Sequence, residues 1–147
     1  MKRLYVEGIP QVVVVFVTLI RKGGFYLFTK RSPNASHAPS LWGLPGGHLE
    51  MGEDISKTLE REVKEETNLV IKPEKLNFYL EKHKSELKNH KGLMYINLFY
   101  KSRLVKGKLK LNKEHTDFKW LPLKQALKLN LTPEVKRSLL SLTRPKR

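Results

Sequence analysis

Cysteine is absent from the 147-residue chain, which excludes a disulfide framework, a thiolate zinc site and cysteine nucleophilic catalysis together. That absence fits a cytoplasmic location. Long apolar runs are also missing: the longest, Val12 to Ile20 broken only by Thr18, is about half of what crosses a bilayer. No membrane partner is expected. Lys2 and Arg3 stand ahead of that run as in a secretory leader, but Glu7 and Pro10 intervene. Arg21-Lys22-Gly23-Gly24 then follows where a small-residue cleavage site should be, so a leader is not expected either. Acids are scarce, with 14 against 29 basic residues for a net charge of +15. Half of those acids are concentrated: Glu50 to Glu66 holds seven acids and three bases, leaving a net of +19 on the rest of the chain. An acidic island in a basic chain suggests a cation site in surroundings that attract phosphate. The basic surface by itself would equally serve solubility or a secondary contact with nucleic acid.

What is present is enough for one core. Hydrophobic residues make up 39% and aromatics 9%, which argues against disorder, and the length suits a single domain over residues 1–147. Gln11 to Ile20 is Val-rich and reads as a strand covered on both faces, with Phe25 to Thr29 as its hairpin partner after Gly23-Gly24. Ser32 to Ser40 has loop composition and leads into the tight Trp42-Gly43-Leu44-Pro45-Gly46-Gly47 segment. Asp54 to Thr67 reads as a helix, with Ile55, Leu59 and Val63 on one face and Asn68 ending it in a left-handed conformation. Leu76 to His83 and Leu93 to Leu104 read as strands joined by an exposed polar connection, Lys84 to Gly92. Phe118 to Leu121 is a short strand stopped by Pro122, followed by a helix over Leu123 to Leu129. Thr132-Pro133-Glu134 opens a last helix running to about Leu142, and Arg144 to Arg147 is a frayed tail.

On a helical wheel at about 100° per residue with Ile55 at zero, Glu66 and Glu62 fall at about +20° and −20°, and Glu65 at about −80°. Leu59 and Val63, at about +40° and +80°, mark the buried side. The carboxylates therefore border the apolar stripe, where they repel one another and lose hydration unless a cation or bases compensate. Oxygen donors without thiolate favour Mg²⁺, with Mn²⁺ as a substitute, and such ions share their coordination with substrate phosphates.

The spacing carries a family resemblance. Gly47, five residues, Glu53, seven residues and then Arg61-Glu62-Val63-Lys64-Glu65-Glu66-Thr67-Asn68-Leu69 closely resembles the 23-position Nudix box, G-x5-E-x7-R-E-U-x-E-E-x-G-U with U apolar. Asn68 departs from the final glycine, and since Asn also accepts positive φ the helix should end normally. The resemblance implies an α/β/α sandwich around a central mixed β-sheet. It implies that Glu62, Glu65 and Glu66 hold the metals with the Gly46 carbonyl, and that Glu53 and Arg61 pair as a structural brace. It implies a MutT-like, Mg²⁺-dependent cut of a phosphoanhydride bond in a nucleotide substrate, with a water activated by the metals. The proton acceptor varies within the family; Glu62, Glu65 and Glu114 are candidates here.

Outside the box, Lys30 and Arg31 end the second strand and face the loop to Trp42; Arg31 is the preferred phosphate-binding residue. Trp42 is a candidate for stacking on a base, with core packing as its alternative. His37 and His48 are weaker candidates, and His115 reads as a surface loop residue. The favoured activity is release of pyrophosphate from a nucleoside triphosphate. ADP-ribose, dinucleoside polyphosphates and capped RNA ends are alternatives, because the box fixes the reaction and not the leaving group. A noncatalytic nucleic-acid-binding module, suggested by the net charge, is the alternative of another class.

Overall fold

A computed structural model describes residues 11–83 and 93–144, with side chains over 12–77 and 94–144. The leader-like segment ahead of Gln11, the connection Lys84 to Gly92 and the end of the tail lie outside the described residues. Among the described residues seven strands form one mixed sheet: β1 (Gln11–Lys22), β2 (Phe25–Arg31), β3 (Trp42–Gly43), β4 (Gly46–His48), β5 (Val70–His83), β6 (Leu93–Lys106) and β7 (His115–Leu121). Three helices accompany it among the described residues, α1 (Ile55–Thr67), α2 (Leu123–Ala126) and α3 (Pro133–Thr143).

The Val-rich β1 is central, as expected of β-branched residues packed on two sides. It runs parallel to β6 from the Gln11–Leu93 pair to the Arg21–Arg103 pair. Its other edge is divided between β4, antiparallel from Val15–His48 to Val17–Gly46, and the start of the β2 hairpin at Arg21–Tyr26. Beyond that point β2 leaves β1 and pairs with β3 and β7. Alternation along β1 and β2 sends side chains to opposite faces. Phe16, Ile20 and Leu27 pack with Leu59 and Val63 of α1, while Leu19 and Phe28 pack with Ala126, Val135 and Leu139 of α2 and α3. The result is the expected α/β/α sandwich. Thr18 is the polar interruption in β1, and its hydroxyl lies 2.6 Å from that of Ser102 and donates to the Tyr100 carbonyl at 3.2 Å, so its burial leaves nothing unpaired.

Both ends of α1 follow from local chemistry. The Asp54 side chain accepts from the Lys57 N–H at 3.2 Å, which makes Asp54 the cap ahead of the helix rather than its first turn. Asn68 adopts φ 64 and ψ 13, and its N–H donates to the Lys64 carbonyl at 2.9 Å.

Three boundaries shift by three residues or more, and one segment gains strands. β5 begins at Val70, six residues before Leu76, because β5 is the sheet edge and takes Pro73 at a register shift between Pro73 and Lys75. β7 begins at His115 rather than Phe118, paired with Arg31 across an irregularity at Lys30 and Arg31. α2 ends at Ala126, short of Leu129, in a tightened turn where the Lys128 N–H reaches the Gln125 carbonyl at 3.1 Å. The tight segment from Trp42 contains two short strands, β3 and β4, for which no strand was expected.

Candidate active site

The site lies where β4, the end of α1 and the start of β7 converge. Gly46 sits so close to β1 that a Cβ would collide with the Phe16 carbonyl oxygen and stand 2.7 Å from Val17 Cα. Its backbone N–H donates to Glu66 Oε2 at 3.0 Å. Gly47 performs a different service: a Cβ there would stand 2.7 Å from Glu62 Cδ, so the glycine makes room for a carboxylate.

The three box carboxylates are exposed in the order that the wheel angles predict. Glu66 is 6% exposed, the Glu62 side chain 22% and the Glu65 side chain 55%. Loss of hydration pushes the Glu66 carboxyl well above the ordinary carboxylate range; the Gly46 N–H opposes this, and Glu114 and Glu62 add to it. Burial likewise raises Glu62, against the pull of Arg61. Arg61 is the hub on the outer side. It donates to both Glu53 oxygens at 3.1 and 3.2 Å and to Glu65 Oε1 at 3.1 Å, and stands 3.3 Å from Glu62 Oε1.

A second segment closes the site from the far side. The Lys110 and Asn112 N–H groups donate to the Thr67 and Glu66 carbonyls at 2.9 and 3.1 Å, docking the stretch after β6 on the end of α1. Gly107 permits this at φ 119, where a Cβ would lie 2.7 Å from the Asn68 carbonyl oxygen. The consequence is that Glu66, Glu114 and His115 each bring a potential ligand atom within 4.8 Å of the other two. Glu62 and Glu65 do not join that cluster, Glu65 being turned to Arg61.

His115 is therefore not a surface loop residue. It is 7% exposed, its Nδ1 has no hydrogen-bond partner, and burial followed by the nearby Arg31 charge lowers its pKa. Pairing with Arg31 buries it, a nonlocal effect that hydrophilic neighbours in sequence conceal. Arg31 donates through Nε to the His37 carbonyl at 2.7 Å and stands beside the cluster. Lys30 is paired with Trp42 and Asp117 in the sheet, and His37 and His48 are exposed. Trp42 is placed in the α3-side core at 7% exposure, with Lys119 Nζ 5.3 Å from its ring centroid. A ring so covered favours the core-packing alternative over stacking on a base.

Residues 10–142 match the NUDIX domain family, a span that includes every element but the last residue of α3. The chain belongs to that family. Its Nudix sequence is 32% identical over 96 residues to the asymmetrical bis(5'-nucleosyl)-tetraphosphatase of Caenorhabditis elegans, covering 65% of this chain and 68% of that one. It is 46% identical over 48 residues to the nucleoside triphosphatase NudI of Salmonella agona, covering 33% of this chain and about a third, 34%, of that relative. In structure it is similar to the MutT protein of Methanosarcina mazei, with a TM-score of 0.74, 24% identity and coverage of 92% and 94% of the two chains. The Nudix fold is thus shared over nearly the whole chain.

The box alone did not reveal how Glu114 and His115 reach this Nudix site. The signal was Gly107, a glycine between β6 and β7 whose conformation lets the chain fold back over the helix end.

Proposed function

We propose that the chain hydrolyses a phosphoanhydride bond in a nucleoside diphosphate derivative with Mg²⁺ as cofactor, Mn²⁺ substituting, and that it turns a nucleoside triphosphate into a monophosphate and pyrophosphate. The observation that carries this reading is the meeting of Glu66 and Gly46 beside Glu62, within a frame tied by Arg61. A divalent cation fits there, because the buried Glu66 carboxylate has one backbone donor against the two neighbouring carboxylates of Glu62 and Glu114. Glu62, Glu65 and Glu66 would hold it together with the Gly46 carbonyl. Bound there, the ion supplies neutralisation of the diphosphate charge and a lower pKa for the attacking water.

The chain's own residues do the rest. Arg61 fixes the carboxylates from outside and touches no substrate. Arg31, with its guanidinium beside the cluster, holds the phosphate that becomes the leaving group. Glu62, half-buried at the edge of the site, accepts the proton as water adds to phosphorus and the anhydride oxygen departs.

A second reading is unequal cleavage of a dinucleoside polyphosphate, favoured by the 32% identity to a relative of that name. Incubation with Mg²⁺ and a panel of nucleoside triphosphates, diadenosine tetraphosphate and ADP-ribose separates them by product. Pyrophosphate from a triphosphate, abolished in Glu66→Gln, is the expected result. Turnover of none of the panel, with salt-sensitive binding of RNA or DNA instead, would replace the enzyme with a binding module.

A further inference from the structure

We propose that the sheet face opposite α1 binds the phosphate backbone of a single-stranded nucleic acid, through a row of cations across β1, β6 and β5 that lies apart from the box. Register fixes the row. Arg21 of β1 is paired with Arg103 of β6, and Arg103 with Lys72 of β5; two residues back, Lys101 of β6 is paired with Lys75 of β5. Residues paired across strands share a face. That face is identified by Leu19, which pairs with Lys101, and by Tyr26, which pairs with Arg21; both pack in the core under α2 and α3. The helices cover it at Leu19 and Phe99, and beyond them it is open, with Arg21, Arg103, Lys72 and Lys75 exposed and Lys101 half-buried.

Like charges directly opposite one another destabilise a sheet. The row holds three such pairs: Arg21 with Arg103, Arg103 with Lys72, and Lys101 with Lys75. Among the described residues it receives one ion pair, Arg21 with Glu74 at 3.4 Å, made over the top of β6. One carboxylate against five cations leaves a positive field whose complement is a polyanion.

Shape narrows the choice of polyanion. Adjacent strands stand about 4.8 Å apart, so Arg21, Arg103 and Lys72 spread over roughly 10 Å. Cations so spaced on a sheet meet successive charges of a chain rather than the oxygens of one small anion. A duplex is read by a helix or two-stranded ribbon entering its groove, and this face presents neither. Sheet faces that carry basic and aromatic side chains are platforms for single strands, and half-buried Tyr26 stands at the Arg21 end of the row. The hydrolytic site stays clear: Gly46 pairs with Val17, about 13 Å along β1 from Arg21 and on the edge away from β6.

The test uses the full chain in chelator without nucleotide, so its failure leaves the hydrolase reading untouched. Labelled oligouridylate and oligothymidylate of about 12 nucleotides are titrated by fluorescence anisotropy at several salt concentrations. At roughly 0.7 per phosphate, three to five contacts give a slope of log affinity on log salt of about −2 to −3.5. Arg103→Gln with Lys72→Gln should weaken binding at least about tenfold and flatten the slope by about 1.4, with a melting temperature no lower than wild type because repulsion is relieved. Lys75→Gln alone should flatten it by about 0.7, a readout that survives if the double variant fails to fold. Lys57→Gln with Lys136→Gln removes the same charge from exposed positions on α1 and α3 and should weaken binding less than about threefold. Equal weakening by the two double variants overturns the proposal, since net charge alone would then account for binding. So does binding of neither oligomer, or tighter binding of a duplex than of the single strand. Loss of phosphatidylserine-vesicle binding in the Arg103 and Lys72 double variant, with oligomer binding intact, assigns the face to a membrane and overturns it too.

Discussion

The backbone N–H of Gly46 donates to the carboxylate of Glu66 at 3.0 Å, across twenty residues of sequence. That bond fastens the edge of β4 to the last turn of α1, and it places the most buried acid of the helix against the loop that precedes the box. Two adjacent glycines serve this junction by different means, and their replacement should separate stability from activity.

Gly46→Ala should cost stability. The added methyl meets the Phe16 carbonyl and Val17 Cα, both backbone atoms of the central strand that cannot move aside. A loss of about 1–3 kcal/mol in urea unfolding is expected. Gly47→Ala meets instead the flexible end of Glu62. It should fold nearly as well as wild type and lose activity, because what yields is a carboxylate of the site. Equal stability losses in the two variants would contradict the distinction.

Glu66→Gln should make the metal-free protein more stable at neutral pH. Burial raises the folded-state pKa of Glu66, so the stability attached to it is complete below about pH 4.3, where the unfolded chain also holds the proton. It is lost as pH rises through the folded value. The amide carries no charge and keeps an acceptor for Gly46, so a gain of about 0.5–2 kcal/mol is expected in chelator, fading toward pH 4. His115 acts in the opposite direction: its pKa is lowered, so its contribution is lost as pH falls below about 6.5. Comparing the two proteins at each pH cancels that second effect. Saturating Mg²⁺ should reverse their order, since a ligand at 100 times its Kd adds about 2.7 kcal/mol to whichever protein binds it.

Arg61→Lys should reduce kcat by roughly 10- to 100-fold with little change in stability. The guanidinium fork holds both oxygens of Glu53 and one of Glu65, and an ammonium cannot span them. The pairs are partly solvent-exposed, so their contribution to folding is small, below about 1 kcal/mol. Thermal melting beside steady-state kinetics checks both halves. A large fall in melting temperature with intact kcat would make Arg61 a folding residue only.

Local pattern carried most of the fold. The Val-rich run, the wheel of α1 and the left-handed Asn68 were all legible, because each depends on residues within a few positions of one another. The wheel even ordered the burial of Glu66, Glu62 and Glu65 correctly. What escaped was nonlocal. The strand was expected only from Leu76, yet β5 begins at Val70, an edge where the missing N–H of Pro73 is harmless. His115 sits among Glu114, Thr116 and Asp117 in sequence and looks exposed, yet the docking of the Gly107–Glu114 stretch on the helix end and its pairing with Arg31 bury it. Trp42 next to glycines could serve either a base or the core, and only the position of α3 decides between them.

Arg31 and Trp42, both read from sequence as substrate contacts, should now part company. Arg31→Ala removes a guanidinium beside the Glu66–Glu114–His115 cluster and should raise KM by roughly 10- to 100-fold, the worth of one charge-assisted hydrogen bond to phosphate. Its melting temperature should fall only slightly, since its bond to the His37 carbonyl lies on the exposed loop. Trp42→Phe should do the reverse. The smaller ring leaves a gap beside Leu131, Val135 and Leu139 and gives up the cover of Lys119, for a loss of about 1–3 kcal/mol in stability. KM should stay within about twofold of wild type, because a ring with no open face contributes no stacking energy. Measuring both parameters in both variants decides the matter: a raised KM in Trp42→Phe would return Trp42 to the substrate, and an unchanged KM in Arg31→Ala would remove Arg31 from it.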